Sequence, residues 1–277
     1  MEVIKTIAEM RRLRLKLTEP VGFVPTMGYL HEGHLSLVRQ ARADNASVVV
    51  SIFVNPTQFI AGEDFDRYPR NPEHDLSLLQ KEDVDALFAP PTVEMYPPRF
   101  SSHLEVDSLA RRLEGASRPG HFNGVTTVVA KLFNIVQPMR AYFGQKDAQQ
   151  TIVIKKMVAD LNMNLKVITL PTMREPDGLA MSSRNSYLNP KERQAALVLY
   201  QSLMLVKRLW QQGEKDAEKL RHEMVRLIRK EPLAAIDYIS IADPETLEEL
   251  EEVKPPALVS LAVKIGETRL IDNVVLG

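Results

Sequence analysis

The stretch Val21-Gly22-Phe23-Val24-Pro25-Thr26-Met27-Gly28-Tyr29-Leu30-His31-Glu32-Gly33-His34 decides the fold, because an apolar run passes through a glycine into a helix with two histidines at its entrance. Helix N-termini carry unpaired N–H groups and the positive end of the backbone dipole, so such a junction suits a phosphate chain. His31 and His34, at i and i+3, share one face and can reach a single phosphoryl centre. Gly28 and Gly33 are expected to let backbone approach the ligand without an intervening Cβ. No G-x-x-x-x-G-K-[ST] segment occurs, which excludes a Walker-type loop and leaves a nucleotide site of another kind.

Outward from this junction, short apolar runs alternate with amphipathic stretches, the pattern of βα units around a parallel sheet. The expected strands cover residues 21–25, 48–54, 86–88, 141–143 and 166–170. Helical spacing of Leu35, Val38 and Ala41 marks a helix over 31–43, and Asn71-Pro72 reads as an N-cap with proline at the first helical position. Further helices are expected over 126–136 and 148–161. The fold class is therefore α/β, built on a parallel sheet. After Pro171 the order changes to helices first (189–212 and 216–230) and strands afterwards (236–241, 257–265 and 268–270), which predicts a smaller C-terminal α+β domain. The expected division is 1–176 and 177–277.

A length of 277 residues agrees with two domains at the usual ~150 residues each. With 35 Lys plus Arg against 36 Asp plus Glu, the net charge of -1 gives no general attraction to nucleic acid or an anionic membrane. The absence of cysteine excludes thiolate catalysis and Cys-ligated zinc. The charged N-terminal stretch is unlike a signal peptide, and no apolar run reaches the ~18 residues of a membrane span, so a cytoplasmic location is expected.

Chemistry-bearing residues fall at the carboxyl ends of the expected strands, where ligands sit in open α/β sheets. Asn55 and Gln58 offer amides that can orient a hydroxy acid. Asp64, Asp66 and Asp75 are carboxylates available to Mg²⁺, though solvated acids give the same pattern. Gly144-Gln145-Lys146-Asp147 repeats the strand–glycine–helix junction; a cation in a helix's first turn opposes the dipole, and a bound phosphate would explain Lys146. Gln150 lies one turn further on. Met181-Ser182-Ser183-Arg184-Asn185 combines hydroxyls with an arginine that can bind phosphate bidentately. Arg118 to Val125 reads as a pocket wall. A zinc site at His31 and His34 is the weaker reading, since His31-Glu32-Gly33-His34 is not H-E-x-x-H.

These segments, taken together and in order, resemble the pantothenate synthetase (pantoate–beta-alanine ligase) family. The resemblance rests on Pro25-Thr26-Met27-Gly28 with His31 and His34, Phe53-Val54-Asn55-Pro56 with Gln58-Phe59, Tyr68-Pro69-Arg70, and Arg118-Pro119-Gly120-His121-Phe122. It continues through Gly144 with Lys146-Asp147 and Gln150, and the run from Arg174 to Asn185. Gln145 and Ala148 depart from the family's usual acidic and aromatic residues, with small effects expected.

The resemblance implies a Rossmann-like, doubly wound nucleotidyltransferase domain of the His-x-Gly-His superfamily, a smaller C-terminal α+β lid domain and a homodimer. It implies that ATP, with Mg²⁺, and (R)-pantoate form an enzyme-bound pantoyl adenylate that beta-alanine attacks, giving pantothenate, AMP and pyrophosphate. Carried over by position, the ATP site comprises Met27, Gly28, Tyr29, Leu30, His31, Glu32, Gly33, His34, Gly144, Gln145, Lys146, Asp147, Met173, Met181, Ser182, Ser183 and Arg184. His31, His34 and Lys146 are its catalytic members, with His34 in the proton-donor position. Gln58 and Gln150 would bind pantoate, and Gln58 beta-alanine as well. Protein ligands for the metal stay open. Partners are the small substrates and a second copy of the chain, with no nucleic acid and no membrane. Two rival readings are an aminoacyl-tRNA-synthetase-like adenylating enzyme, which the near-zero charge disfavours, and a non-catalytic ATP sensor, which would release no AMP.

Overall fold

The structure, a computed structural model, describes residues 1–277. The chain opens with β1 (Glu2–Ile4) and α1 (Ile7–Arg14). Thr6 caps α1: its hydroxyl accepts the Glu9 N–H and the Glu9 carboxylate accepts the Thr6 N–H, which satisfies two orphan donors. Then follow β2 (Val21–Thr26), α2 (Glu32–Asp44), β3 (Ser47–Ile52), α3 (Pro72–Lys81), β4 (Ala86–Phe88) and α4 (Thr92–Met95). The first unit continues through α5 (Glu114–Ser117), α6 (His121–Val136), β5 (Arg140–Gly144), α7 (Ala148–Asp160) and β6 (Lys166–Leu170). Asn71 caps α3 with Pro72 at its first turn, as the Asn-Pro pair predicts. Helix α6 begins at His121, earlier than its apolar spacing suggests, because Gly120 at φ 85° turns the chain directly into it.

The sheet has the order β1-β4-β3-β2-β5-β6, with every neighbouring pair parallel. From β2 the chain winds outward through β3 to β4, then returns to place β5 on the other side of β2. The direction of winding therefore reverses between β2 and β5, and ligands bind in the crevice at such a reversal. Strands β2 and β5 pair only at Gly22 with Arg140 and Phe23 with Ala141. Their carboxyl halves are left unpaired to each other, and Pro25 has no N–H to close them. The two strand–glycine–helix junctions picked out in the sequence end here.

Beyond Leu170 the chain builds α8 (Pro190–Ala195), α9 (Leu197–Gln211) and α10 (Ala217–Ile228), then the antiparallel sheet β7 (Ala234–Ala242), β8 (Ala257–Ile265) and β9 (Thr268–Leu276). The expected single helix over 189–212 is divided at Ala196, and β9 continues to Leu276 where the sequence suggests a stop at Leu270. A buried cluster from Leu179 to Leu276 joins these helices to this sheet. Leu247 and Leu258 instead pack into the core of the first unit, so the two units share a contact surface.

Candidate active site

The loop after β2 is held from below by Asp75 of α3, which is 2% exposed and accepts the N–H groups of Tyr29 (2.8 Å) and Leu30 (2.7 Å). These bonds stabilise a backbone with positive φ at both Gly28 (83°) and Tyr29 (51°). His31 is the N-cap of α2: its Nδ1 accepts the Gly33 N–H at 3.2 Å, while His34 Nδ1 accepts the His31 N–H at 3.3 Å. Because both Nδ1 atoms accept, each neutral ring carries its proton on Nε2. The rings lie 4.1 Å apart, both in the wall of the cleft. The entrance of α2 therefore offers a phosphate imidazole N–H donors, while the Gly33 and His31 amides serve the imidazoles themselves.

The two glycines leave no space for a side chain. A Cβ on Gly33 would stand 2.9 Å from the His31 ring, and one on Gly28 would stand 2.9 Å from Ile52 Cγ2 and 3.1 Å from Asp75 Oδ2. Both are packed closely against protein atoms, Gly33 against the His31 ring and Gly28 against Ile52 and Asp75.

Burial, and then the nearby Lys146 ammonium, push His31 down to about 4. Burial, with His31 and Lys146 beside it, holds His34 well below its ordinary value. Across the cleft His121 is also pushed down to about 4, by burial and by Arg118. All three are neutral near pH 7. Between about pH 4 and 6.5 the unfolded chain binds protons that the folded protein refuses, so stability rises with pH there. We expect the urea midpoint to fall as pH drops from about 6.5 to 4 and to be insensitive to these groups above about pH 7.5. His31→Gln should flatten the slope; an unchanged slope would contradict the assignment.

Opposite the histidines, the end of β5 and a 3-10 turn at Gln145–Asp147 carry Lys146, whose Nζ is 3.8 Å from Asp147. Gln145 points away, its Nε2 donating to Asn273 Oδ1 of β9 at 3.1 Å. Gln150 lines the cleft, whereas Gln149 is buried: its amide accepts from Glu114 N–H and donates to the carbonyls of Leu109 and Arg112.

Gln58 also lines the cleft, its Oε1 receiving Asn55 Nδ2 at 3.0 Å and its Nε2 directed at Met27 Sδ. Asn55, 1% exposed, is committed elsewhere, since it donates to Gly124 O and accepts from Thr57 and Tyr96. It orients Gln58 and has no amide group left for a substrate. Behind them Arg118 pairs with Glu63 and donates to His121, whose Nδ1–H donates to Gln58 O at 2.7 Å. The reading of this segment as a pocket wall agrees with its place in the cleft.

The second unit closes the cleft. Ser183 Oγ donates to Tyr29 O at 3.2 Å, and Arg184 makes a two-pronged pair with Asp64 at 2.9 and 2.8 Å, its guanidinium 5.7 Å above the Tyr68 ring. Burial opposes ionisation of Asp64, but the bonds and charge of Arg184 win and hold its carboxyl below the usual range. Of the carboxylates offered for Mg²⁺, Asp64 is thus spent on Arg184, Asp75 on the loop amides, and Asp66 is exposed. No group of three or more His, Cys, Asp or Glu converges as a metal cluster.

The cleft encloses about 1070 Å³ and is lined by Met27, His31, Gly33, His34, Gly144, Lys146, Asp147, Met173 and Met181 to Arg184, with Gln58 and Gln150. Gly28, Tyr29 and Leu30 form the supporting loop behind it, and Glu32 pairs with Arg39 on the outer face. Sequence reasoning missed Asn273, Asp272, the Asp64–Arg184 pair and the Glu63–Arg118 pair; ion pairs between distant segments leave no mark in local spacing.

The sequence matches the family described as Pantoate-beta-alanine ligase over residues 2–275. It is 59% identical to the pantothenate synthetase of Roseiflexus castenholzii, covering 100% of this chain and 99% of that protein. It is 57% identical to that of Thermotoga petrophila over 100% of both chains. The crystal structure of pantothenate synthetase from Thermus thermophilus superposes with a TM-score of 0.95 at 49% identity, covering 99% of each chain. A Francisella tularensis pantoate-beta-alanine ligase, solved with beta-gamma ATP and beta-alanine, superposes at 0.82 with 37% identity, covering 99% of this chain and 97% of that one. A reversed-winding crevice carrying the paired histidines and Lys146, and a family match that spans residues 2–275, place this chain in the pantoate–beta-alanine ligase family.

Proposed function

We propose that His31, His34 and Lys146 carry the adenylation half of the ligase reaction, with ATP across the β2/β5 crevice and pantoate against Gln58 and Gln150. The observation that carries this reading is the convergence of two neutral Nε2–H donors and one ammonium on a crevice formed where the sheet reverses direction. Attack of a carboxylate on the α-phosphorus joins two anions, so the protein's tasks are alignment and neutralisation of charge. Lys146 supplies the positive charge. The imidazoles supply directed hydrogen bonds without taking charge at neutral pH, so His34 acts as a donor of a hydrogen bond and of a proton only when phosphate charge raises its basicity.

Met27, Gly33, Gly144, Met173 and Met181 shape the walls around the nucleotide, while Ser182, Ser183 and Arg184 bring the second unit onto the phosphates. Mg²⁺ carried by a triphosphate needs only one or two protein carboxylates. Asp147, beside Lys146 and half-exposed in the wall, is the residue that fits. Gln58 would also meet beta-alanine, which the resemblance implies. Gln58 is held by Asn55 with its amide set toward the cleft, a preorganisation that favours orienting a small polar substrate. The unit boundary near residue 176, a homodimer and a cytoplasmic setting belong to the same reading. Its support is the family resemblance.

Calorimetry tests the pantoate assignment. Gln58→Ala and Gln150→Ala are each expected to weaken pantoate binding by about 5–10-fold, the loss of one neutral hydrogen bond, with ATP binding alone nearly unchanged. A dominant loss of ATP affinity would move these amides to the nucleotide.

A further inference from the structure

We propose that Asn273, on β9 of the second unit, is a positioning residue for Lys146, so that the C-terminal sheet sets the geometry of the phosphate site as well as covering it. Asn273 is 4% exposed, and every polar atom of its side chain is used on one short segment. Its Nδ2 donates to Gln145 O at 2.9 Å and Lys146 O at 2.9 Å, and its Oδ1 accepts from Gln145 Nε2 at 3.1 Å. Few arrangements fix a 3-10 turn more completely, because the amide holds two consecutive carbonyls and the Gln145 side chain together. Lys146 is the second residue of that turn, and the direction of its side chain follows from the backbone so held.

The neighbouring residue acts on the other phosphate segment. Asp272, 2% exposed, receives Arg174 Nη1 at 2.6 Å and Nη2 at 3.0 Å, and Arg174 in turn donates to Gly178 O and stacks over Tyr200. These contacts brace the bend from Arg174 to Ala180 that leads into Met181–Arg184. Consecutive residues of one strand thereby hold the Lys146 turn and the arm of Arg184. Two buried polar residues in a strand are costly unless each bond is made, and here each is made to a segment of the proposed site.

The inference rests on the phosphate role of Lys146 given above, and a double-mutant cycle separates the two. Pyrophosphate exchange into ATP with pantoate present is measured for Lys146→Ala, Asn273→Ala and the double variant, with pantoate binding by calorimetry as the check on folding. Asn273→Ala is expected to lower the exchange kcat about 10–100-fold, the effect of a misplaced catalytic group, with pantoate affinity unchanged. In the Lys146→Ala background the same substitution is expected to cost nothing further. If Asn273→Ala does not bind pantoate normally, Asn273→Asp, which keeps the volume but loses both donations, carries the test. Additive losses would show a general structural role and overturn the proposal. So would an unaffected Asn273→Ala beside an impaired Lys146→Ala. An unimpaired Lys146→Ala would overturn the phosphate assignment itself.

Discussion

Lys146→Ala and His34→Ala are each expected to lower the rate of adenylate formation by ~10²–10³-fold, the usual loss when a preorganised donor to a transition state is removed. The structure gives the reason that folding should survive. Lys146 makes one long contact, at 3.8 Å to Asp147, and His34 Nδ1 supplies only one of the two imidazole caps of α2. The His34 loss should exceed that of a lost cap, because His34 lines the cleft and its Nδ1 is committed to the His31 N–H, which leaves the Nε2–H as its donor to a ligand. His34→Asn, which can accept the His31 N–H but places its donor elsewhere, should remain impaired. Single-turnover rates within about tenfold of the parent, with circular dichroism unchanged, would return both side chains to a packing role.

Arg184→Ala is expected to raise the ATP concentration needed for half-maximal rate by one to two orders of magnitude, from the loss of charge-assisted hydrogen bonds worth roughly 1.5–3 kcal/mol. Its partner in the structure is Asp64, which occupies both prongs of the guanidinium as a phosphate would. Tyr187 also donates to Asp64, so the carboxylate remains anchored when Arg184 turns to a triphosphate. Arg184→Lys keeps the charge but not the fork and should fall between the parent and the alanine variant. A steady-state titration of ATP checks this, and an unchanged ATP dependence in Arg184→Ala would assign the second unit a role other than closing on the phosphates.

Much of this arrangement is legible in the residues, for reasons that differ by element. Strands buried on both faces read as continuous apolar runs, which is why β4 and β8 match their expected ranges to the residue; the half-buried β6 also matches. Asn71-Pro72 marks the start of α3 because proline without an N–H suits only that turn. The first strand and helix are not apparent from the apolar pattern, although Thr6 and Glu9 spell a capping box; β1 has three residues and derives its place from pairing with β4. Strand β9 looks complete at Leu270 because Asp272-Asn273 reads as turn chemistry. In the fold both are buried and hydrogen-bonded, Asp272 to Arg174 and Asn273 to the Gln145–Lys146 turn, so tertiary contacts override the local rule.

The candidate site divides in the same way. His31, His34, Lys146, Gln58, Gln150 and Arg184 stand at strand ends or loops, where local spacing points to them, and the cleft gathers all of them. What hides from the sequence is the second layer. Asp75 lies 45 residues from the Leu30 amide it holds, and Asp64 lies 120 from Arg184. Acids that look available to a metal are spent on backbone amides and a guanidinium, a distinction only tertiary contacts make.

The most direct test of the account is exchange of labelled pyrophosphate into ATP by the full chain with pantoate present and beta-alanine absent. Two neutral histidines and one lysine set for phosphate, with pantoate held beside them, predict exchange under these conditions and its near-complete loss in His34→Ala and Lys146→Ala. Exchange that required beta-alanine, or that proceeded at parental rates in both variants, would contradict the account.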